Sequence, residues 1–155
     1  MNALIYGSIF RHKGVLAQYY TRRESTDYEN LAKDIGIDIL AKQDFSVTIK
    51  RKEFIGKTVL YTARRINGEG MAFIVVAENK AIQRGEEALA EIIAQCDRDM
   101  EGGQAPKNLS AHWSKTIRDK IGNRVKDVEL GRLVQLETEV DNMAGDAKRN
   151  LGRER

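Results

Sequence analysis

Residues 59–77 read VLYTARRINGEGMAFIVVA, and this stretch decides the fold. Val59, Tyr61 and Ala63 alternate with Thr58 and Thr62, which is the two-residue period of a half-buried strand. Asn67-Gly68 then favours a type I′ turn, because both central residues of that turn need a positive φ. Beyond the turn, the run 71–77 is apolar on both faces and is predicted to be the central strand of a sheet.

The residues before this hairpin predict two strands and a helix. The apolar runs 4–10 and 15–20 flank a polar turn at residues 11–14 and indicate a first hairpin. A helix start at Ser25 or Thr26 is followed by apolar residues at helical spacing over residues 28–39. Gly36 is expected to weaken the middle of this helix by about 1 kcal/mol relative to alanine.

A further strand is predicted where Phe45, Val47 and Ile49 alternate with polar residues. After the central strand, an amphipathic helix is predicted over residues 80–100, and the Gly- and Pro-containing stretch 101–106 ends it. Helical character resumes near residue 110. The chain therefore has the order β-β-α-β-β-β-α-α, which predicts an α+β fold: a five-stranded antiparallel sheet with helices on both faces, followed by a C-terminal helix.

The sequence contains no arrangement of side chains that predicts an active site. His12 and His112 have no paired carboxylate or cysteine at metal-ligand spacing, and Ser8 and Ser110 lack the turn context of a nucleophile. Cys96 lies on the apolar side of its predicted helix, which favours a small buried side chain over a reactive thiol. We therefore expect no enzyme activity, no bound metal and no cofactor.

The chain has 155 residues, a net charge of +3 and one cysteine, which favours a reducing, cytoplasmic setting. Its basic residues are spread too thinly to predict nucleic-acid binding. The short clusters 22–23, 50–52 and 64–65 are interpreted as solvated strand ends and loops, with lipid or nucleic-acid binding as the weaker alternative. No apolar run reaches the roughly 18 residues of a membrane span, so we expect membrane contact only through a segment beyond Arg155, where one exists.

The C-terminal segment 123–155 has the pattern of a helix that buries a narrow seam against other helices. The seam residues recur at spacings of 3, 4, 3, 4 and 3, and they are Leu133, Leu136, Val140, Met143, Ala147 and Asn150. An isolated helix of this length is marginal in water. The seam is therefore expected to dock on its own N-terminal domain, on a second copy or on other proteins. The alternative is an ordinary helix packed permanently on its own domain.

This order of elements, followed by a heptad helix, resembles the longin family, in which a profilin-like domain precedes an R-type SNARE motif. The start LIYGSI (4–9) is similar to the family's opening strand. MAFIVVAEN (71–79) and the helix 82–96 are similar to its last strand and second helix. LETEVDNM (136–143) resembles the early half of the SNARE motif, and Asn150 falls where the family often has an asparagine.

The resemblance implies a longin-like domain, 1–122, and a partial SNARE-like coiled-coil helix, 123–155. It implies a mechanical function in vesicle trafficking and membrane fusion, in which the helix pairs with partner SNARE helices. The longin-like domain would regulate this pairing by binding trafficking adaptors or by holding the helix closed, on the cytosolic face of internal membranes. The expected regulatory groove consists of Tyr28, Leu31, Ile35, Phe45, Val47 and Ile49.

Three other functions remain open. The first is a non-fusogenic longin-like subunit or regulator of a trafficking, adaptor or GTPase-exchange complex, in which the C-terminal helices are fixed parts of the fold. The second is a small α/β enzyme, which requires a concave pocket with at least two converging titratable groups. The third is a self-associating coiled coil.

Overall fold

The computed structural model describes residues 3–11, 14–22, 26–45, 48–101 and 105–122. Its elements are β1 (Leu4–Arg11), β2 (Gly14–Tyr20), α1 (Thr26–Ala41), β3 (Lys50–Phe54), β4 (Lys57–Ile66), β5 (Glu69–Glu78), α2 (Ile82–Met100) and α3 (Leu109–Ile117). This β-β-α-β-β-β-α-α order is the predicted one. The predicted heptad helix lies outside the described residues, so the domain boundary after residue 122 stays a prediction.

The five strands form one antiparallel sheet in the order β2-β1-β5-β4-β3. Consecutive strands pair within the groups β1–β2 and β3–β4–β5, and the pairing of β1 with β5 joins the two groups. β5 therefore lies at the centre, as its two apolar faces predicted. Residues 71–77 of β5 are all 0% exposed.

The turn between β4 and β5 has the conformation that its sequence predicted. Asn67 and Gly68 have φ angles of 53° and 83°, so both lie in the left-handed region that a type I′ turn requires. The pairing then continues from Ile66 opposite Glu69 without a register shift. This register fixes which side chains of the two strands share a face of the sheet.

Helices cover both faces of the sheet, as expected. On one face, Ala32 and Ile35 of α1 lie in one core cluster with Ile74 and Val76 of β5. On the other face, α2 packs against β4 and β5, and α3 packs against β2 and β1. Alternate residues of each central strand therefore enter two separate cores, which explains why β5 is apolar on both faces.

Gly36 does not interrupt α1, although its low helix propensity predicted a weak point in the middle of this helix. The helix runs without interruption from Thr26 to Ala41. A Cβ atom at Gly36 would lie only 3.1 Å from the ring of Phe10, so the glycine allows α1 to approach β1 closely. This close packing offsets the low helix propensity of glycine.

The strand predicted from the alternation of Phe45, Val47 and Ile49 is wrong in position. Val47 lies outside the described residues, while Phe45 and Ile49 both precede β3. β3 is an edge strand with mostly exposed side chains, so burial imposes no apolar alternation on it. The basic clusters 50–52 and 64–65, interpreted as strand ends and loops, lie within β3 and β4.

Asp99 connects α2 to α3. Its carboxylate accepts a hydrogen bond from Nε1 of Trp113 at 3.0 Å and lies 3.1 Å from Nε2 of His112. Trp113 is fully buried, so its indole N–H needs this acceptor. After α3 the backbone forms a wider π-type turn, Arg118–Gly122. No helix among the described residues is long and apolar enough to cross a membrane.

Candidate functional site

The chemically reactive side chains of the described residues take part mainly in packing. Cys96 is fully buried, and burial raises the pKa of its thiol far above its ordinary value, so little nucleophilic thiolate forms. Ser8 is buried in β1, and His112 pairs with Asp99. His12 lies outside the described residues. Within those ranges no three His, Cys, Asp or Glu side chains lie close enough together to hold a metal ion.

The candidate site is instead a row of partly exposed apolar side chains beside α1. Its members are Tyr28 and Leu31 of α1, Tyr61 of β4, and Phe45, which follows α1. All four pack against the core cluster beneath the helix, while the rest of each side chain meets solvent. We name this surface the α1 groove.

The fold places these side chains on the side of α1 that faces β4 and β3. Tyr28 and Leu31 are three residues apart, so they share one face of the helix. Tyr61 pairs with Lys50 of β3 in the sheet register. α1 packs on β1, β4 and β5, which leaves the edge strand β3 beyond the helix. The groove therefore has α1 as one wall, Tyr61 in its floor and β3 as its outer border.

Phe45 forms one end of the groove. The guanidinium carbon of Arg65 lies 4.4 Å from the centroid of the Phe45 ring, a cation–π contact. A Cβ atom at Gly70 would lie 2.8 Å from this ring, so the glycine makes room for Phe45. An open pocket of about 280 Å³ adjoins the ring, with Arg65 as the one titratable side chain of its lining. The lining consists of Leu40, Gln43, Phe45, Arg65, Gly68 and Gly70.

The opposite end of the groove lies where α1 begins. Nζ of Lys57 lies 5.9 Å from the centroid of the Tyr28 ring. On the other side of the helix, Glu29 accepts a hydrogen bond from the hydroxyl of Tyr20. Burial, followed by the hydrogen bond and charge of Glu29, raises the pKa of Tyr20 to about 12. The Tyr20 ring also contacts Tyr6, with 4.9 Å between centroids, so α1 is anchored to the sheet at this end.

The longin resemblance implies a regulatory groove of six residues; the structure places them as follows, and their regulatory role stays a prediction. Three of the six predicted residues are members of the α1 groove as defined above. Ile35 is buried in the core at 7% exposure, and Ile49 is half-buried just before β3, while Val47 lies outside the described residues. Sequence reasoning missed Tyr61 and Arg65, although both follow the strand alternation of β4 and so share its α1 face.

The predicted seam, from Leu133 to Asn150, lies outside the described residues, so its role stays a prediction. Comparison with protein-family models and with curated proteins finds no match for this chain. The features that bear on function are therefore the geometry of the α1 groove and the heptad pattern of residues 123–155.

Proposed function

We propose that this chain is a longin-type, R-SNARE-like protein of vesicle trafficking and membrane fusion. In this proposal, the domain of residues 1–122 regulates the helix of residues 123–155 by holding its apolar seam in the α1 groove. The observation that carries the proposal is the row of apolar side chains along α1 that the fold leaves partly exposed. The element order β-β-α-β-β-β-α-α, which the longin resemblance implies, also supports it.

A helical seam would match the groove in length. The groove extends along α1 from Tyr28 to the pocket beside Phe45, which Leu40 lines, and α1 rises by about 18 Å from Tyr28 to Leu40 at 1.5 Å per residue. A helix from Leu133 to Met143 rises by about 15 Å and presents four apolar residues at heptad spacing. One such segment fits alongside α1 as an amphipathic helix lying in an apolar groove, which is a common form of peptide recognition.

The charges beside the groove complement the charges beside the seam. Lys57 and Arg65 stand at opposite ends of the α1 groove, each over an aromatic ring. The seam is flanked by the acidic residues Glu137, Glu139 and Asp141. Complementary charges at the border of an interface favour correct orientation and fast association more than they increase affinity. Apolar burial in the groove would therefore supply most of the binding energy.

Hydrogen exchange on the full-length chain tests the proposal. In the unmodified protein we expect the amides of residues 133–143 to be protected. The change Leu31→Ser removes one apolar contact from the groove, worth about 1.5–3 kcal/mol, and should accelerate exchange there about 10- to 100-fold. Ile37→Ser is the matched control, because Ile37 is on the same helix, 45% exposed and not a member of the groove.

Addition of partner SNARE helices should transfer the protection of residues 133–143 from the groove to the new complex and expose α1. Fast exchange of these residues in the unmodified chain, or equal effects of the two serine variants, would show that the seam does not occupy the groove. Strong protection that survives dilution and does not respond to partner helices would favour the non-fusogenic longin-like subunit instead.

A further inference from the structure

The hairpin that joins β3 to β4 ends in an exposed apolar tip. Its two turn residues are Ile55 and Gly56, and Gly56 has a φ of 76° that suits glycine. The side chain of Ile55 is 101% exposed, and the preceding Phe54 is 37% exposed. Apolar residues exposed singly on a surface are common. Two adjacent exposed apolar residues at a convex tip are candidates for insertion into an apolar environment outside the protein.

Basic side chains surround this tip. The register pairs Phe54 with Lys57 and Lys52 with Val59, so both lysines share the α1 face with Phe54. Nζ of Lys52 lies 6.0 Å from the centroid of the Phe54 ring. Among the described residues, neither Lys52 nor Lys57 has a carboxylate partner within ion-pair distance. Both ammonium groups are therefore available to anionic groups outside the chain.

Neighbouring acidic residues do not cancel this charge. Glu78 at the end of β5 is paired with Arg22 and lies 3.5 Å from Lys80. The backbone N–H of Asn79 donates to the carbonyl of Gly56 at 3.2 Å, which brings the 77% exposed Lys80 side chain to the same end of the molecule. Glu53 is exposed but occupies the alternate face of β3.

We propose that the β3–β4 hairpin tip, defined as Lys52, Phe54, Ile55 and Lys57, binds the surface of an anionic lipid bilayer and inserts Ile55 into its interface. A two-residue turn is convex and too small to supply the roughly 800 Å² per partner of a standard protein interface. A lipid interface has no fixed shape and can accommodate a small convex tip. The lysine stems lie along apolar surface while their ammonium groups reach the headgroups.

This inference does not depend on the proposed function, because its decisive residue, Ile55, is not part of the α1 groove. The tip could bind lipid while the α1 groove is empty. Equally, the seam could occupy the groove in a chain that does not bind lipid. A negative result in the hydrogen-exchange experiment on Leu31→Ser therefore leaves the lipid proposal standing, and a negative result in the lipid-binding experiment on Ile55 leaves the proposed function standing.

Flotation of the full-length chain with vesicles tests the inference. We expect binding to phosphatidylcholine vesicles that contain roughly one third phosphatidylserine, and much weaker binding to phosphatidylcholine alone. Ile55→Ser should weaken binding about tenfold, the lower end expected for removing a buried isoleucine. Lys52→Gln and Lys57→Gln should each weaken it about fivefold. Binding should also fall as salt is raised, because salt screens exposed charges.

Matched controls use side chains of the same type elsewhere. Val15→Ser and Ile37→Ser alter residues that are each 45% exposed and distant in sequence from the tip, and both should leave binding unchanged. In a second measurement, Ile55→Trp places a fluorophore at the tip, and its emission should shift to shorter wavelength when anionic vesicles are added. Trp113, the one natural tryptophan, is fully buried and gives a constant background.

Three results would overturn the inference. One is equal binding to neutral and anionic vesicles, and another is binding that Ile55→Ser and Val15→Ser reduce equally. The third is an Ile55→Trp emission that vesicles leave unchanged, which is the result expected for a tip that contacts another protein rather than lipid.

Discussion

Replacing Gly7 by alanine should displace α3 from the sheet. A Cβ atom at this position in β1 would lie 2.6 Å from Cγ2 of Ile117, whereas ordinary contacts begin at 3.4 Å. Ile117 is fully buried and its Cγ2 atom is attached close to the backbone, so α3 itself must retreat by roughly 1 Å. Overpacking of this kind costs about 1–3 kcal/mol, and the better strand propensity of alanine returns less than about 1 kcal/mol. The net expected loss is about 1–2 kcal/mol.

The buried indole of Trp113 reports this change directly, because Trp113 lies one helical turn before Ile117 and is the only tryptophan. Urea titration followed by its fluorescence should give a lower midpoint for Gly7→Ala with an unchanged slope. Gly122→Ala is the control, since a Cβ atom there would meet nothing within 4 Å. Ile117→Ala alone creates a cavity and should cost about 2–5 kcal/mol.

The double variant Gly7→Ala with Ile117→Ala provides the decisive comparison. The new methyl group would occupy space that the shortened side chain vacates. The double variant should therefore lose about 1 kcal/mol less unfolding free energy than the sum of the two single-variant losses. Strictly additive losses, or a Gly7→Ala variant as stable as Gly122→Ala, would refute the argument that Gly7 sets the distance between α3 and the sheet.

Three further predictions concern polar groups in and beside the core. Asp99→Ala leaves the N–H of Trp113 without an acceptor and should lower the unfolding free energy by about 1–3 kcal/mol, whereas Asp99→Asn keeps an oxygen acceptor and should lose less in the same urea titration. Cys96 is buried with a raised thiol pKa, so a thiol reagent should label it only as the chain opens; rapid labelling of the native protein would contradict this. Tyr20 titrates near 10 when unfolded and at about 12 when folded, so its stabilising contribution is complete below about pH 10 and is lost as the pH rises through 12. Urea titrations at several alkaline pH values should show a weaker pH dependence for Tyr20→Phe, and an unchanged dependence would exclude Tyr20 as the titrating group.

The parts of the fold that the sequence predicted are those in which local pattern and tertiary burial agree. The run 71–77 is apolar on both faces because β5 is the central strand, and Asn67-Gly68 meets the φ requirement of its turn. β3 was misplaced because an edge strand is held by backbone pairing with β4 and by the turn at Gly56. Neither of these leaves a pattern of apolar side chains in the sequence.

The groove was only partly predictable for a related reason. Tyr28 and Leu31 follow the helical period that marks the buried side of α1. No sequence pattern predicts that these two side chains stay partly exposed while Ile35 is buried. That difference depends on where α1 crosses the sheet, which the close approach at Gly36 helps to set. The alternation of Tyr61 with Val59 places it on the α1 face of β4, but no sequence pattern places it at the edge of the helix.

Lys57 is a member of the β3–β4 hairpin tip and also borders the α1 groove, so any coupling between lipid binding and groove binding can be measured through it. Its ammonium group lies 5.9 Å from the ring of Tyr28 in the α1 groove and directly across the hairpin from Phe54. An exposed cation–π contact is worth about 0.5–1 kcal/mol, so lipid that draws Lys57 away can change the affinity of the groove by about two- to fivefold at most. Reciprocity requires that a helix in the groove change lipid affinity by the same factor. The ratio of the lipid affinities of the unmodified chain and the Val140→Asp variant, whose seam is disrupted, measures this factor. When both chains also carry Tyr28→Leu, which removes the ring that Lys57 contacts, the ratio should fall to one. A coupling much larger than fivefold would require a movement of α1 or of the hairpin, and not merely a shared lysine.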